Sequence, residues 1–375
     1  MFINHINIYN YLYRVQIYIK KLNMSIILNN SDITIDYRAS NFNMEVVKSD
    51  IYTRDTNLEN NILNEPQIIP EKYNIEQYIH LNSGNFTEYT KSFTQNTLCD
   101  ILIVGGGGGG DRQIGGGGGG GAVLYATNVV IPSGTYIIKV GAGGAGNTNG
   151  YSREAFGAIC LGGGSTSFVG WGTPNNGTSG GSGSGGSAGG TIGTGGEFGI
   201  STKGALLSNG KLYNGNIGGN GLAQVGSGSF QPVCSGGGGG AGSAGLHSKQ
   251  VDYNTRATWI TAGKPGSGGD GVAIDILGTT YYWGAGGGGG AYHTHGGDGG
   301  LGGGGGGGAS SRPSGLAGIG GINSGFNGNI TGTKGGNGAD NTGSGGGGGG
   351  WDGATNDAGS GGSGIVIIKY RDYPV

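Results

Sequence analysis

The chain has 375 residues, a formal net charge of −2 and 98 glycines, all but Gly84 lying between Gly105 and Gly364, against a glycine share of about 7% in ordinary proteins. The uninterrupted runs Gly105 to Gly110, Gly115 to Gly121, Gly302 to Gly308 and Gly345 to Gly350, with only 8 prolines, exclude a collagen Gly-X-Y period. Acids and bases are interspersed without a basic block, which excludes the electrostatic footprint of a nucleic-acid binder.

Residues 1–23, "MFINHINIYNYLYRVQIYIKKLN", mix Asn, Gln, Arg14 and Tyr among apolar positions. They form neither the apolar core of a signal peptide nor a membrane span. Two readings of residues 1–24 stand open: a short docking element, or upstream sequence before a working start at Met24. Residues 25–75 form a small β-rich segment, with period-two alternation at Ile33, Ile35 and Tyr37 and at Phe42, Met44 and Val46. "LNEPQIIPEKYN" at 63–74 reads as a linker.

Residues 76–375 form the third and largest unit. Strands are expected at Tyr78–Leu81, Phe86–Phe93 and Leu98–Val104, and a hairpin at Ala122–Ile131 and Thr135–Val140 around Pro132-Ser133-Gly134. Further strands are expected at Ala158–Leu161, Thr166–Val169, Val272–Leu277, Thr279–Trp283 and Ile365–Tyr370. The fold class is therefore mainly β, an antiparallel β-sandwich with glycine segments inserted between its strands.

The stretch "CDILIVGGGGGGDRQIGGGGGGG" at 99–121 begins like a dinucleotide-binding turn. That turn must open a helix and be followed by an acidic ribose partner. Each glycine in a helix costs roughly 1 kcal/mol relative to alanine, and no Asp or Glu lies between Arg112 and Arg153. The glycine is thus building material rather than a phosphate cradle. Pinning so many glycines costs about 1–2 kcal/mol each in backbone entropy, so order needs its own source of stabilisation. Helices of the polyproline II type, with three residues per turn, point every N–H and C=O outward to neighbours. A bundle of such polyglycine II helices demands pure glycine at its centre and tolerates mixed stretches such as "GGSGSGGSAGG" at 180–190 on its outside. The opposing reading is a set of flexible linkers; strands bracketing every glycine cluster favour the ordered bundle.

The motifs "CDILIVGGGGGG" at 99–110, "IPSGTYIIKVGAGGAG" at 131–146, "GTTYYWGAGGGGG" at 278–290 and "GGSGIVIIKY" at 361–370 resemble the glycine-rich domain of phage tail and large DNA virus proteins. The resemblance covers about residues 76–375. It is similar in principle to the polyglycine II sandwich of T-even-type phage tail-fibre adhesins, and more distantly to the glycine-rich ectodomain of anaplastic lymphoma kinase family receptors. It implies a lattice that displays variable loops to a host surface. The loops match no adhesin closely, so host and ligand do not carry over.

No catalytic constellation emerges. The GxSxG at Gly185–Gly189 lacks a flanking strand and helix, Gly263-Lys264 fails as a P-loop, and His293 and His295 read as a non-ligating pair. The three cysteines, Cys99, Cys160 and Cys234, carry neither metal nor disulfide-framework spacing. No cofactor and no metal are expected. Richer loops remain at Tyr151–Phe156, Phe168–Asn176, Leu206–Tyr213, Leu246–Thr261, Ala291–His295 and Trp351–Asp357. On them Tyr253, Arg256, Trp259, Tyr292, His293 and Trp351 are the receptor-contact candidates, with capping of the lattice ends as the competing role for Trp259 and Trp351. The expectation is a non-enzymatic viral surface or fibre-associated protein at the virion surface. Its partners would be a host receptor, glycan or protein, and other virion proteins, without nucleic acid or membrane insertion. A purely structural coat component is the alternative.

Overall fold

A computed structural model describes residues 24–29, 32–37, 73–81, 84–166, 176–188, 192–222, 233–249, 264–310, 314–319, 321–329, 333–351 and 358–371. The chain divides into two compact units, Met1–Ile69 and Pro70–Val375. In the first, β1 (Met24–Asn29) and β2 (Asp32–Tyr37) form an antiparallel hairpin with Met24 opposite Tyr37. The alternation at Ile33, Ile35 and Tyr37 falls on β2, whereas Phe42, Met44 and Val46 lie outside the described residues.

The second unit is built on antiparallel sheets, without an α-helix among its described residues. Its long strands are β3 (Tyr73–Ile79), β4 (Phe86–Phe93), β5 (Thr97–Val104), β6 (Val123–Ile131) and β7 (Gly134–Gly141). Short ones follow: β8 (Arg153–Ala155), β9 (Ala158–Cys160), β10 (Lys211–Tyr213), β11 (Val233–Cys234), β12 (Val272–Ile274), β13 (Tyr281–Trp283), β14 (Ala291–Tyr292) and β15 (Ala309–Ser310). The chain closes on β16 (Ile365–Arg371). One sheet runs β10-β6-β5-β16-β3 and a second β4-β7-β8-β9. The last strand lies between β5 and β3, with Ile365 opposite both Val104 and Ile79.

The apolar runs of β5 and β16 follow from burial on both faces. Cys99, Ile101, Ile103, Val366 and Ile368 pack with Phe93, Ile138 and Val140 of the second sheet. Their alternates Leu102, Val104, Ile365 and Ile367 pack with Val272, Ile274 and Trp283 of the β12–β13 hairpin.

Several boundaries differ from the sequence reading. The first strand of this unit is Tyr73–Ile79 rather than Tyr78–Leu81, because its alternation is anchored by pairing with β16 from Tyr73 onward. Strand pairing accordingly begins at Tyr73, within the stretch 63–74 read as a linker. Three stretches read as loops carry strands: Tyr151–Phe156 holds β8, Leu206–Tyr213 holds a fully buried Leu207 and the edge strand β10, and Ala291–His295 holds β14. Of the strand expected at Thr166–Val169, Thr166 makes a bridge to Gly177 and residues 167–169 lie outside the described residues. One short pair, β14 with β15, is parallel.

The glycine runs are buried between these sheets and segments. Their amides leave in three directions that repeat every third residue. Gly105 and Gly108 donate to Ala122 and Gly119, Gly106 and Gly109 to Tyr151 and Thr148, and Gly107 and Gly110 to Gly362 and Gly359, all at 2.8–3.1 Å. In the next run Gly115, Gly118 and Gly121 donate to Gly349, Gly346 and Gly343, while Gly117 and Gly120 donate to Gly236 and Gly239. Buried backbone groups are thereby paired without a ladder of strands.

Glycine is required here by crowding. Gly118 is absent from the positive-φ positions, yet a Cβ on it would fall far inside 3.0 Å of the Gly108 carbonyl. Gly84, by contrast, has nothing within 4 Å of such a Cβ.

Arg153 of β8 is fully buried. Its Nη1 donates to the Tyr151 carbonyl at 3.0 Å, and Nε and Nη2 have no partner among the described residues. The guanidinium lies against the backbone of Gly106, Gly141 and Gly364, where any side chain would collide with it. Burial pushes its pKa down to about 9, partly offset by Cys160, which leaves it mainly protonated at neutral pH.

Candidate functional site

Of the six receptor-contact candidates, Tyr253, Arg256 and Trp259 lie outside the described residues. The other three are half-buried. Tyr292 and Trp351 both pack against a small buried cluster of Ile114, Ala188 and Val233. His293 follows Tyr292 in a left-handed conformation, φ 60°, and the two rings approach to 3.8 Å between centroids at a 42° tilt. The fold thus gathers Tyr292 and Trp351 from distant parts of the chain onto one patch, with an apolar floor of three residues from three different segments.

The other chemistry-bearing residues are tied into the scaffold. Ser187 of the GxSxG match is buried, donates to Asp111 Oδ2 at 2.5 Å and accepts from the Gly116 amide at 3.0 Å. Asp298, the carboxylate near His293 and His295, accepts from the Leu316 amide at 2.8 Å. Among the described residues no group of three or more His, Cys, Asp or Glu is placed to hold a metal. The three cysteines are free and buried. Burial pushes each thiol up to about 12, and a thiol so far above neutrality supplies little thiolate for reaction. No described helix is long and apolar enough to cross a membrane.

A recurring polar device escaped the sequence reading. In seven Asx-Gly pairs the Asx Oδ1 accepts an amide of an adjacent segment while the following glycine donates back to it. For Asn176-Gly177 with Thr194, Asp270-Gly271 with Leu301, Asp298-Gly299 with Leu316 and Asn337-Gly338 with Ser360, both bonds close on one residue at 2.8–3.1 Å. For Asn149-Gly150, Asn220-Gly221 and Asn327-Gly328 the donor and acceptor are two residues apart: Ser165 and Gly163, Gly195 and Gly193, Ala317 and Gly315. The side chain stands in for a backbone carbonyl. The dipeptide ordinarily signals a hairpin turn, and that reading hides this use.

A second polar cluster joins the first, second and last strands of the domain. Glu76 of β3 accepts from Lys91 of β4 at 2.5 Å, from Tyr370 of β16 at 2.7 Å and from Tyr78 at 2.5 Å. Lys91 also lies over the Tyr370 ring at 4.4 Å. Burial works to raise the Glu76 pKa, but the hydrogen bonds from Lys91, Tyr78 and Tyr370 outweigh it and hold it below 4.5. For Lys91 burial works downward, and the bonds to Glu76 and Tyr370 prevail, holding it above 10.5. A lowered carboxylate contributes stability above its unfolded value that is lost as pH falls through the folded one; a raised lysine contributes stability below its unfolded value that is lost as pH rises through the folded one. Stability of this domain is therefore expected to fall on the acid side below about pH 4.5. Glu76→Gln should flatten that acid limb, as checked by unfolding midpoints across pH.

A shallow cleft of about 350 Å³ is lined by His80, Ala142, Asp340, Asn341, Gly361 and Ser363 among others. Of the described contact candidates, Tyr292, His293 and Trp351, none lines it.

A family model described as a glycine-rich domain matches residues 82–371. No curated protein matches the chain.

Proposed function

Because the chain belongs to the glycine-rich domain family, we propose that its glycine runs form a polyglycine II lattice within a β-sandwich, and that this rigid body displays loops for attachment to a host surface. The observation that carries the reading is the hydrogen bonding of buried glycine runs in three directions, repeating every third residue, the arrangement a three-residue-per-turn helix requires of its neighbours. Such a body holds loops at fixed positions, and binding residues concentrate on loops so held. Assignment to a phage or large DNA virus surface rests on the motifs at 99–110, 131–146, 278–290 and 361–370.

A second reading, a coat component without a specific ligand, draws on one observation: Tyr292 and Trp351 rest half-buried on Ile114, Ala188 and Val233, as lattice caps would. Host-cell and glycan-array binding by the full chain separates the two. Attachment predicts that the triple change of Tyr253, Arg256 and Trp259 to Ala abolishes binding and leaves the unfolding midpoint in place. Equal binding by wild type and the folded triple variant, or no binding by either, leaves the coat reading.

A further inference from the structure

The chain carries seven Asn-Gly dipeptides, at Asn149, Asn176, Asn209, Asn214, Asn220, Asn327 and Asn337, and all seven are described. Asn-Gly is the sequence most prone to spontaneous deamidation, since glycine leaves the following amide nitrogen unshielded. In that reaction the glycine nitrogen loses its proton to solvent base and attacks the Asn Cγ. A C–N bond forms, ammonia departs and a succinimide ring results; water then opens either ring carbonyl to give Asp or isoAsp. The attacking nitrogen must be free of its hydrogen bond.

Six of the seven glycine amides are engaged. Gly150 donates to Gly163, Gly177 to Thr194, Gly210 to Leu207, Gly221 to Gly193, Gly328 to Gly315 and Gly338 to Ser360, at 2.8–3.0 Å. The Gly215 amide donates to no carbonyl or side chain among the described residues. The Ser182 hydroxyl, fully buried beside Gly215, has no hydrogen-bond partner among the described residues. Gly215 also has φ 108°, in a region open to glycine. The Asn214 Oδ1 accepts from the Ser201 amide at 2.9 Å, which draws electron density from Cγ; Asn149, Asn176, Asn220, Asn327 and Asn337 accept an amide in the same way, so the unengaged glycine nitrogen is what sets Asn214 apart.

We propose that Asn214 is a selective site of spontaneous modification in the native protein, converting to Asp and isoAsp while the other six Asn-Gly pairs persist. The product places a carboxylate, and in isoAsp an extra backbone methylene, directly after edge strand β10, which ends at Tyr213.

Ageing the native full chain in mildly alkaline buffer, followed by peptide mapping with mass spectrometry and isoAsp detection, tests the assignment. Deamidation at Asn214 is expected to run at least about tenfold faster than at each of the other six, whose amides are released only by local opening. Incubation in denaturant should bring all seven to comparable rates, and Asn214→Gln should remove the native signal, because its longer side chain cannot close the same ring. Comparable native rates at all seven, or a slower rate at Asn214 than at any other, would overturn the proposal.

Discussion

Gly118→Val is expected to unfold or nearly unfold the glycine-rich domain, at a loss above about 4 kcal/mol, outside the roughly 0.5–3 kcal/mol of ordinary substitutions. The cause is steric. A Cβ at Gly118 would collide with the Gly108 carbonyl and the Gly109 backbone, and both neighbours are fixed by bonds of their own, Gly108 to Gly119 at 2.8 Å and Gly109 to Thr148 at 3.0 Å. No flexible side chain stands in the way that could move aside. Gly305→Val should behave alike, since its Cβ would meet the backbone of Gly336 and Gly347. Gly84→Ala supplies the contrast, with open space around it and an expected change within about 0.5 kcal/mol. Equilibrium unfolding of the three variants would rank them, and a Gly118→Val protein as stable as wild type would remove the case for a crowded interior.

The second large effect is expected at Trp283→Ala, with a loss of about 3–5 kcal/mol as for other buried large-to-small changes. Trp283 is the largest fully buried side chain among the described residues. It packs with Leu102, Val104, Ile365 and Ile367 of β5 and β16, on the face away from the second sheet. Its indole N–H makes no hydrogen bond among the described residues, so the contribution is apolar packing and Trp283→Phe should recover much of it. Trp351, half-buried on a cluster of only three buried apolar residues, should lose clearly less on truncation to Ala. A loss at Trp351 equal to that at Trp283 would favour capping over contact for this residue.

The strands that bracket the glycine were legible because their apolar runs are long. Leu98–Val104 and Ile365–Tyr370 emerge within one residue of β5 and β16, since burial on both faces leaves no polar alternation to blur them. β8 and β10 were not legible: each has three residues, and Arg153 in β8 reads as exposed until the fold closes over it. The glycine runs gave their location and their need for partners, but not which segment faces which. Gly105 and Ala122 are brought together by chain closure, and no periodicity encodes that choice. The Asx-Gly clamps were visible as dipeptides and ambiguous in meaning, because the same two residues make hairpin turns elsewhere. As for the candidate surface, type of residue pointed to Tyr292 and Trp351 separately; only the fold joins them over Ile114, Ala188 and Val233.

Amide hydrogen exchange of the protein labelled with ¹⁵N-glycine tests the central claim most directly, since the claim concerns the amides of the glycine runs themselves. The amides of Gly105–Gly110, Gly115–Gly121 and Gly345–Gly350 are all buried and hydrogen-bonded to neighbouring segments. They should exchange at least on the order of 10³-fold slower than unstructured glycine, with protection approaching that of the core strands. Exchange at random-coil rates throughout these runs, while β5 and β16 stay protected, would contradict an ordered glycine interior.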